Sequence, residues 1–184
     1  MRRVLLAMLL AAAVRAEQPE PVLLALTQGT LRYTVVHKLH EVTGTTHEVE
    51  GLAKVTPGAP TLVQVRAPIK SFDSGNSNRD ANMREATHEP LHPIAEVKGT
   101  LPPITLPLDG ARDLALDARV ELNGVQRNET ISVHVEPRGP RGVHGTFSFP
   151  ISLNAFGVER PELLLIKIED RAVIAGDVVF EARP

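Results

Sequence analysis

The chain has 184 residues and no cysteine, which allows one sizeable core and excludes disulfides, thiol catalysis and a lipid-accepting Cys. A formal charge of −2, with one Tyr and five Phe to stack on bases, gives no basis for nucleic-acid binding.

Arg2-Arg3, the apolar run Val4–Val14 and the small residue Ala16 have the order of a cleaved signal peptide over residues 1–16, which predicts a periplasmic or secreted protein. The apolar run is shorter than the roughly 20 residues that a membrane-spanning helix needs. Loss of Arg2, Arg3 and Arg15 takes the charge to about −5. Residues 17–30, with Pro19 and Pro21, are read as a leader, and residues 31–184 as one domain.

From Leu31 onward the apolar residues recur every second position, the period of a strand with one dry face. Leu31, Tyr33 and Val35 form one such set; Val49, Gly51, Ala53 and Val55 a second; Val63, Val65, Ala67 and Ile69 a third. After a polar insert the pattern resumes at Leu114–Leu122, Ile131–Val135, Val143–Leu153 and Leu164–Phe180. Asn123-Gly124, between two of these runs, accepts the positive φ angles of a type I′ hairpin turn. The insert, Ser71–Met83, ends in the start of the one mature helix expected, Ser77 to about Ala86, capped by Asn76 or Ser77 and closed by Pro90. A short helical turn is expected at Arg160–Leu163, with Pro161 at its first position. About eight strands with light inward residues predict an all-β sandwich or an antiparallel barrel, and in a barrel leave volume for a ligand.

Several side chains are candidates for function. Asp73, Asn76, Asn78, Arg79 and Asp80 can offer donors and acceptors at a barrel mouth, with Arg79 suited to an anionic group; equally, they can cap the helix and satisfy their own backbone. His37 is in phase with Tyr33 and Val35, so it is either a satisfied core histidine or a polar handle in a cavity. His88 and His92 have the i, i+4 spacing of helical zinc ligands, but Pro90 breaks the helix between them. His134 and His144 fall on the outward phase of their strands. No metal site, catalytic site or cofactor is expected: Gly-x-Ser-x-Gly and His-Glu-x-x-His are both absent.

Ser71-Phe72-Asp73-Ser74-Gly75-Asn76-Ser77-Asn78-Arg79-Asp80 with Met83, the hairpin Leu122–Arg127, and Phe156-Gly157-Val158-Glu159-Arg160-Pro161 followed by Lys167–Asp170 occur in the order and spacing of the YceI-like family, which the chain resembles from about Leu31 to Ala182. The resemblance implies an eight-stranded antiparallel lipocalin-like barrel with one flanking helix. It also implies non-enzymatic, periplasmic binding of a polyisoprenoid, an isoprenoid quinone or a fatty-acid derivative, together with homodimer formation and transient contact with a membrane or membrane protein. Ligand contacts are then expected from Tyr33, His37, Phe72, Asp73, Asn76, Asn78, Arg79, Met83, Phe147 and Phe149. Two departures stand out. The first strand reads Tyr33–His40 in place of the family's Asp-Pro-x-His-Ser opening, and Glu89–Pro93 lacks the usual aromatic before proline. A different class of function, a packed barrel that binds a protein partner, is distinguished by filling the interior with Phe at Ala67 or Ala118. A third, an enzyme with His37 as base, requires turnover that His37→Gln removes.

Overall fold

A computed structural model describes residues 20–37, 40–160, 162–163 and 166–182, with the side chains of 37, 162, 163, 166 and 167 excepted. The expected signal peptide lies outside the described residues. Strands β1 (Val22–His37), β2 (His40–Thr46), β3 (Glu50–Val55) and β4 (Thr61–Pro68) come first. Helix α1 (Ser77–Ala86) follows, then β5 (Ile94–Leu101), β6 (Arg112–Leu122), β7 (Val125–Pro137) and β8 (Gly142–Ser152). The chain ends in a two-residue ladder of β9 (Glu162–Leu163) with β10 (Ile166–Lys167), and in β11 (Arg171–Ala182).

Every neighbouring pair in the main sheet is antiparallel, and β11 returns to β1, so the sheet closes on itself. Both β2 and β3 pair with β1 in a single register, Leu31 opposite Thr46 and Ala25 opposite Leu52. They are one stave interrupted at residues 47–49, and the closed barrel therefore has eight staves. Closure removes the exposed edge that an open sheet of this length would present.

The domain begins earlier than the sequence suggests. Val22–Thr30, assigned above to a leader, is the first half of β1 and pairs with β3 and β11. The register with β11 slips between Leu26 and Gln28, a bulge that inserts one residue and reverses which parity faces inward. Before it the even positions point in: Leu24 is 1% exposed and Leu23 62%. After it the odd positions Leu31, Tyr33 and Val35 do. The broken alternation is what hid the first half of the strand. The expected helical turn at 160–163 is also corrected: Glu162 and Leu163 are extended and pair with β10.

At the end of the barrel below β3, β4 and β5, the β5–β6 connection folds inward and buries Ile104 and Leu108 beside Leu101. That end is closed by packing. The opposite end carries α1, the β6–β7 hairpin and the segment after β8.

Candidate ligand-binding cavity

Helix α1 is set by its cap. Asn76 is extended, and its Oδ1 accepts from the backbone N–H groups of Asn78 and Arg79, both at 3.1 Å, so two of the helix's free donors are satisfied. Arg79, Asn82, Met83 and Ala86, spaced i, i+3, i+4 and i+7, share the face that lines the barrel interior. The opposite, polar face meets solvent. Before the helix, Asp73 Oδ1 accepts from Gly75 N–H, and Asp73 exchanges backbone hydrogen bonds with Thr45 of β2. The polar insert thereby carries the wall past the point where β4 ends.

Three separated segments lock together at this end. Asn123, at φ 53°, and Gly124, at φ 71°, form the predicted hairpin turn. The Asn123 amide donates to the carbonyls of Phe156 (3.2 Å) and Gly157 (2.9 Å), and its Oδ1 accepts from His88 Nδ1 at 2.9 Å. Glu159 N–H donates to the Ala86 carbonyl at the end of α1. His92 packs against Gly124. The two histidines with zinc-like spacing are therefore occupied in structure, one by the turn's side chain and one by its backbone.

Inside the barrel lies a cavity of about 310 Å³. Its walls are aliphatic and aromatic: Leu31, Val35, Val120, Phe149, Ile151 and Ile174 among others. Tyr33 and Phe72 meet at a tilt of 50° on the mouth side, with ring centroids 5.6 Å apart. Burial raises the Tyr33 pKa, as does the nearby Asp80 carboxylate, while Arg79 acts the other way. The phenol therefore stays a neutral donor well past neutral pH. Asp80 is buried and accepts from the backbone N–H and the hydroxyl of Ser74, at 3.0 and 2.6 Å. Arg79 donates to the Ser74 carbonyl at 2.8 Å, so its guanidinium is held at the rim. An apolar interior with a neutral phenol, an amide from Asn82 and a fixed cation at its edge can enclose a hydrocarbon tail and hold a polar head.

The structure divides the predicted site residues. Tyr33, Phe72, Arg79, Met83, Phe147 and Phe149 line the cavity. Asp73, Asn76 and Asn78 are exposed and serve the turn and the helix cap. Of His37 only the backbone is described, at the end of β1. Asn82, Ala86 and Thr87 also line the cavity, and counting i+3 and i+7 from Arg79 along the predicted helix would have found the first two. Ala67 and Ala118, the positions suggested above for filling the interior, are buried in the wall packing and do not line the cavity, whereas half-buried Ala95 does. His134 and His144 face outward as predicted, among carboxylates.

Residues 24–180 match the YceI-like domain. The chain belongs to the YceI-like family. Solved structures of similar fold include BcnA from Burkholderia cenocepacia, at a TM-score of 0.69 and 18% identity over 82% of this chain and 95% of that one. A polyisoprenoid binding domain from Saccharophagus degradans gives 0.68 at 15% identity, over 88% and 99% of the two chains. A YceI protein of Campylobacter jejuni gives 0.59 at 11% identity, over 81% and 90%. At these identities the likeness is one of fold, and the YceI-like barrel is a binding fold. No curated protein matches the chain.

Proposed function

We propose that this YceI-like protein binds and carries a long amphiphile, a polyisoprenoid, isoprenoid quinone or fatty-acid derivative, with its tail in the barrel and its head near Arg79, Asn82 and Tyr33. The carrying observation is the apolar cavity of about 310 Å³ inside a closed barrel. Burying each methylene is worth about 0.8 kcal/mol, so a tail of a dozen outweighs the ordering costs of binding. The polyisoprenoid binding domain of similar fold supports the ligand class. The start of the sequence supports a periplasmic setting, and the site works by binding rather than by turnover.

Delivery implies contact with a membrane or membrane protein. Leu91, 76% exposed, and Ile94 sit at the α1 end of the barrel, where such contact would be made. Leu23, Leu52 and Leu62, exposed on adjacent staves around Lys54, are the apolar surface available to a second copy, which velocity sedimentation tests.

The reading is tested by organic extraction and native mass spectrometry of the bacterially purified protein, with reloading of the delipidated form. An amphiphile in a one-to-one complex, lost in Ala95→Phe with the fold retained, is the expected result. A protein that carries nothing and cannot be loaded with any of the three classes refutes it.

A further inference from the structure

The barrel interior has a second chamber, of about 70 Å³, beneath the cavity just described. The strands place the two on one axis. Along β8, Gly145 lines the lower chamber and Phe149 the upper; along β11, Phe180 lines the lower and Ile174 the upper. Phe147, Val65 and Val97 line both. Val65 and Val97 are direct cross-strand partners on β4 and β5. They and Phe147 form a waist between the chambers.

Phe147 is held at the waist by the residue opposite it. It pairs with Gly176 on β11, and a Cβ built at Gly176 would lie 2.2 Å from the ring's Cζ. The ring therefore lies over the bare glycine backbone, in space that any other residue there would take. On its upper side it meets Phe149, with centroids 6.2 Å apart. The exposed lining of the lower chamber is carbon, with Thr61 the one polar residue among those around it, so the chamber suits a hydrocarbon tail rather than a charged head. The β5–β6 connection seals its far end through Ile104.

We infer that Phe147 is a length stop: its ring, seated over Gly176, sets how far a ligand's tail descends, and so which tail lengths the protein selects. The inference rests on the binding function proposed above. From Phe147 to Val143, four residues further down β8, the chain descends ~13 Å along the strand and ~10 Å along the barrel axis, using a rise of ~3.3 Å per residue and a tilt of ~40°. Opening the waist therefore gives the tail access to the lower chamber and room for a longer chain.

The test uses delipidated protein and a stepwise series of saturated straight-chain fatty acids, with a polyprenol and an isoprenoid quinone as further ligands, read by native mass spectrometry and competition with a fluorescent lipid. In the wild type, affinity rises with chain length and then levels off or falls at a defined length. In Phe147→Ala that limit moves to longer acids. A Cβ at Gly145 meets only Val178 and Val133, at 3.6 and 3.7 Å, so larger residues can be built there into the lower chamber. Adding Gly145→Leu to Phe147→Ala is expected to restore the wild-type limit, which general loosening of the barrel would not do. Phe147→Leu, with a smaller shift in the same direction, covers the case in which the alanine variant does not fold. An unchanged limit in the Phe147 variants, with binding intact, overturns the length stop alone. Failure of the wild type to bind any acid, the polyprenol or an isoprenoid quinone overturns the carriage function, and the length stop with it.

Discussion

The side chain of Asn123 donates to the main-chain carbonyl of Gly157 at 2.9 Å, joining a hairpin turn to a segment more than thirty residues later in the chain. The same amide donates to the Phe156 carbonyl, and its oxygen accepts a hydrogen bond from His88 Nδ1. One buried side chain thus holds together the hairpin turn, the segment after β8 and the stretch that follows α1. Their role is structural: they fix α1 over the barrel end, and α1 in turn presents Arg79, Asn82 and Met83 to the cavity.

Replacing Asn123 with alanine removes three hydrogen bonds and leaves a β-carbon at a positive φ without the local stabilisation that Asn supplies. A loss of about 2–4 kcal/mol in urea unfolding is expected. Asn123→Asp keeps the acceptor for His88 but turns a carboxylate oxygen toward two carbonyls, so it is expected to be no more stable than the alanine variant. Equal stability of Asn123→Ala and wild type would show that the clamp carries no load.

Thr61 makes the opposite case. Its residue is 1% exposed, and its hydroxyl has no hydrogen-bond partner among the described residues. An unmet buried hydroxyl costs about 1–3 kcal/mol. Thr61→Val keeps the shape and removes that cost, so the denaturation midpoint is expected to rise by the equivalent of about 1 kcal/mol. A fall in the midpoint would mean that the hydroxyl finds a partner, such as a bound water.

Gly44 lies opposite Tyr33 in the β1–β2 register, and a Cβ there would come within 2.3 Å of the Tyr33 ring. Gly44→Ala must push the ring from its place beside Phe72, at a cost of about 1–3 kcal/mol from overpacking. If the ring is the cause, adding Tyr33→Ala to Gly44→Ala costs less than the two single losses summed. Strict additivity in that double-mutant cycle would rule the ring out.

The outer wall predicts a pH dependence. His144 points one ring nitrogen at Glu136 (3.2 Å) and the other at Asp177 (3.0 Å), so only the imidazolium satisfies both. Partial burial opposes that charge, but the hydrogen bonds to Asp177 and Glu136 outweigh it and raise the pKa. His134 is raised chiefly by its hydrogen bond to Asp113; desolvation opposes the rise, and the charges of Asp113 and Glu136 add to it. A raised folded pKa means that the protonated form is favoured in the folded state. The stabilisation is full below the unfolded value of about 6.5 and is lost as pH rises through the folded values. The thermal midpoint is therefore expected to decline on the alkaline side of about pH 6.5, and His134→Gln/His144→Gln to flatten that decline. An unchanged slope in the double variant would assign the dependence elsewhere.

How much of this was legible depended on how local each cause is. The helix bounds, Ser77 to Ala86, follow from the Asn76 cap, whose bonds reach only two and three residues ahead. The Asn123-Gly124 turn follows from two residues that accept positive φ. The inward set Val143 to Leu153 follows from strict alternation along β8. For Asp73, Asn76 and Asn78 both uses stayed open, because the same polar types serve a binding rim and a helix cap and composition does not separate the two; in the fold the Asp73 and Asn76 side chains and the Asn78 N–H are engaged in the turn and the cap. The first half of β1 was missed because one extra residue near Thr27 reverses the phase, and alternation alone carries no sign of which strand absorbs it.

The sequence by itself determined a set of alternating strands, a tight hairpin and one capped helix, because strand period, turn chemistry and capping act between residues close in the chain. Only the tertiary structure decided that the eighth stave meets the first, that the insert's helix lies over one end, and that the interior narrows at Phe147. Those outcomes depend on where side chains from different staves meet. Gly176 and Phe147 become neighbours through pairing of strands almost thirty residues apart, and the waist they form is a property of that contact.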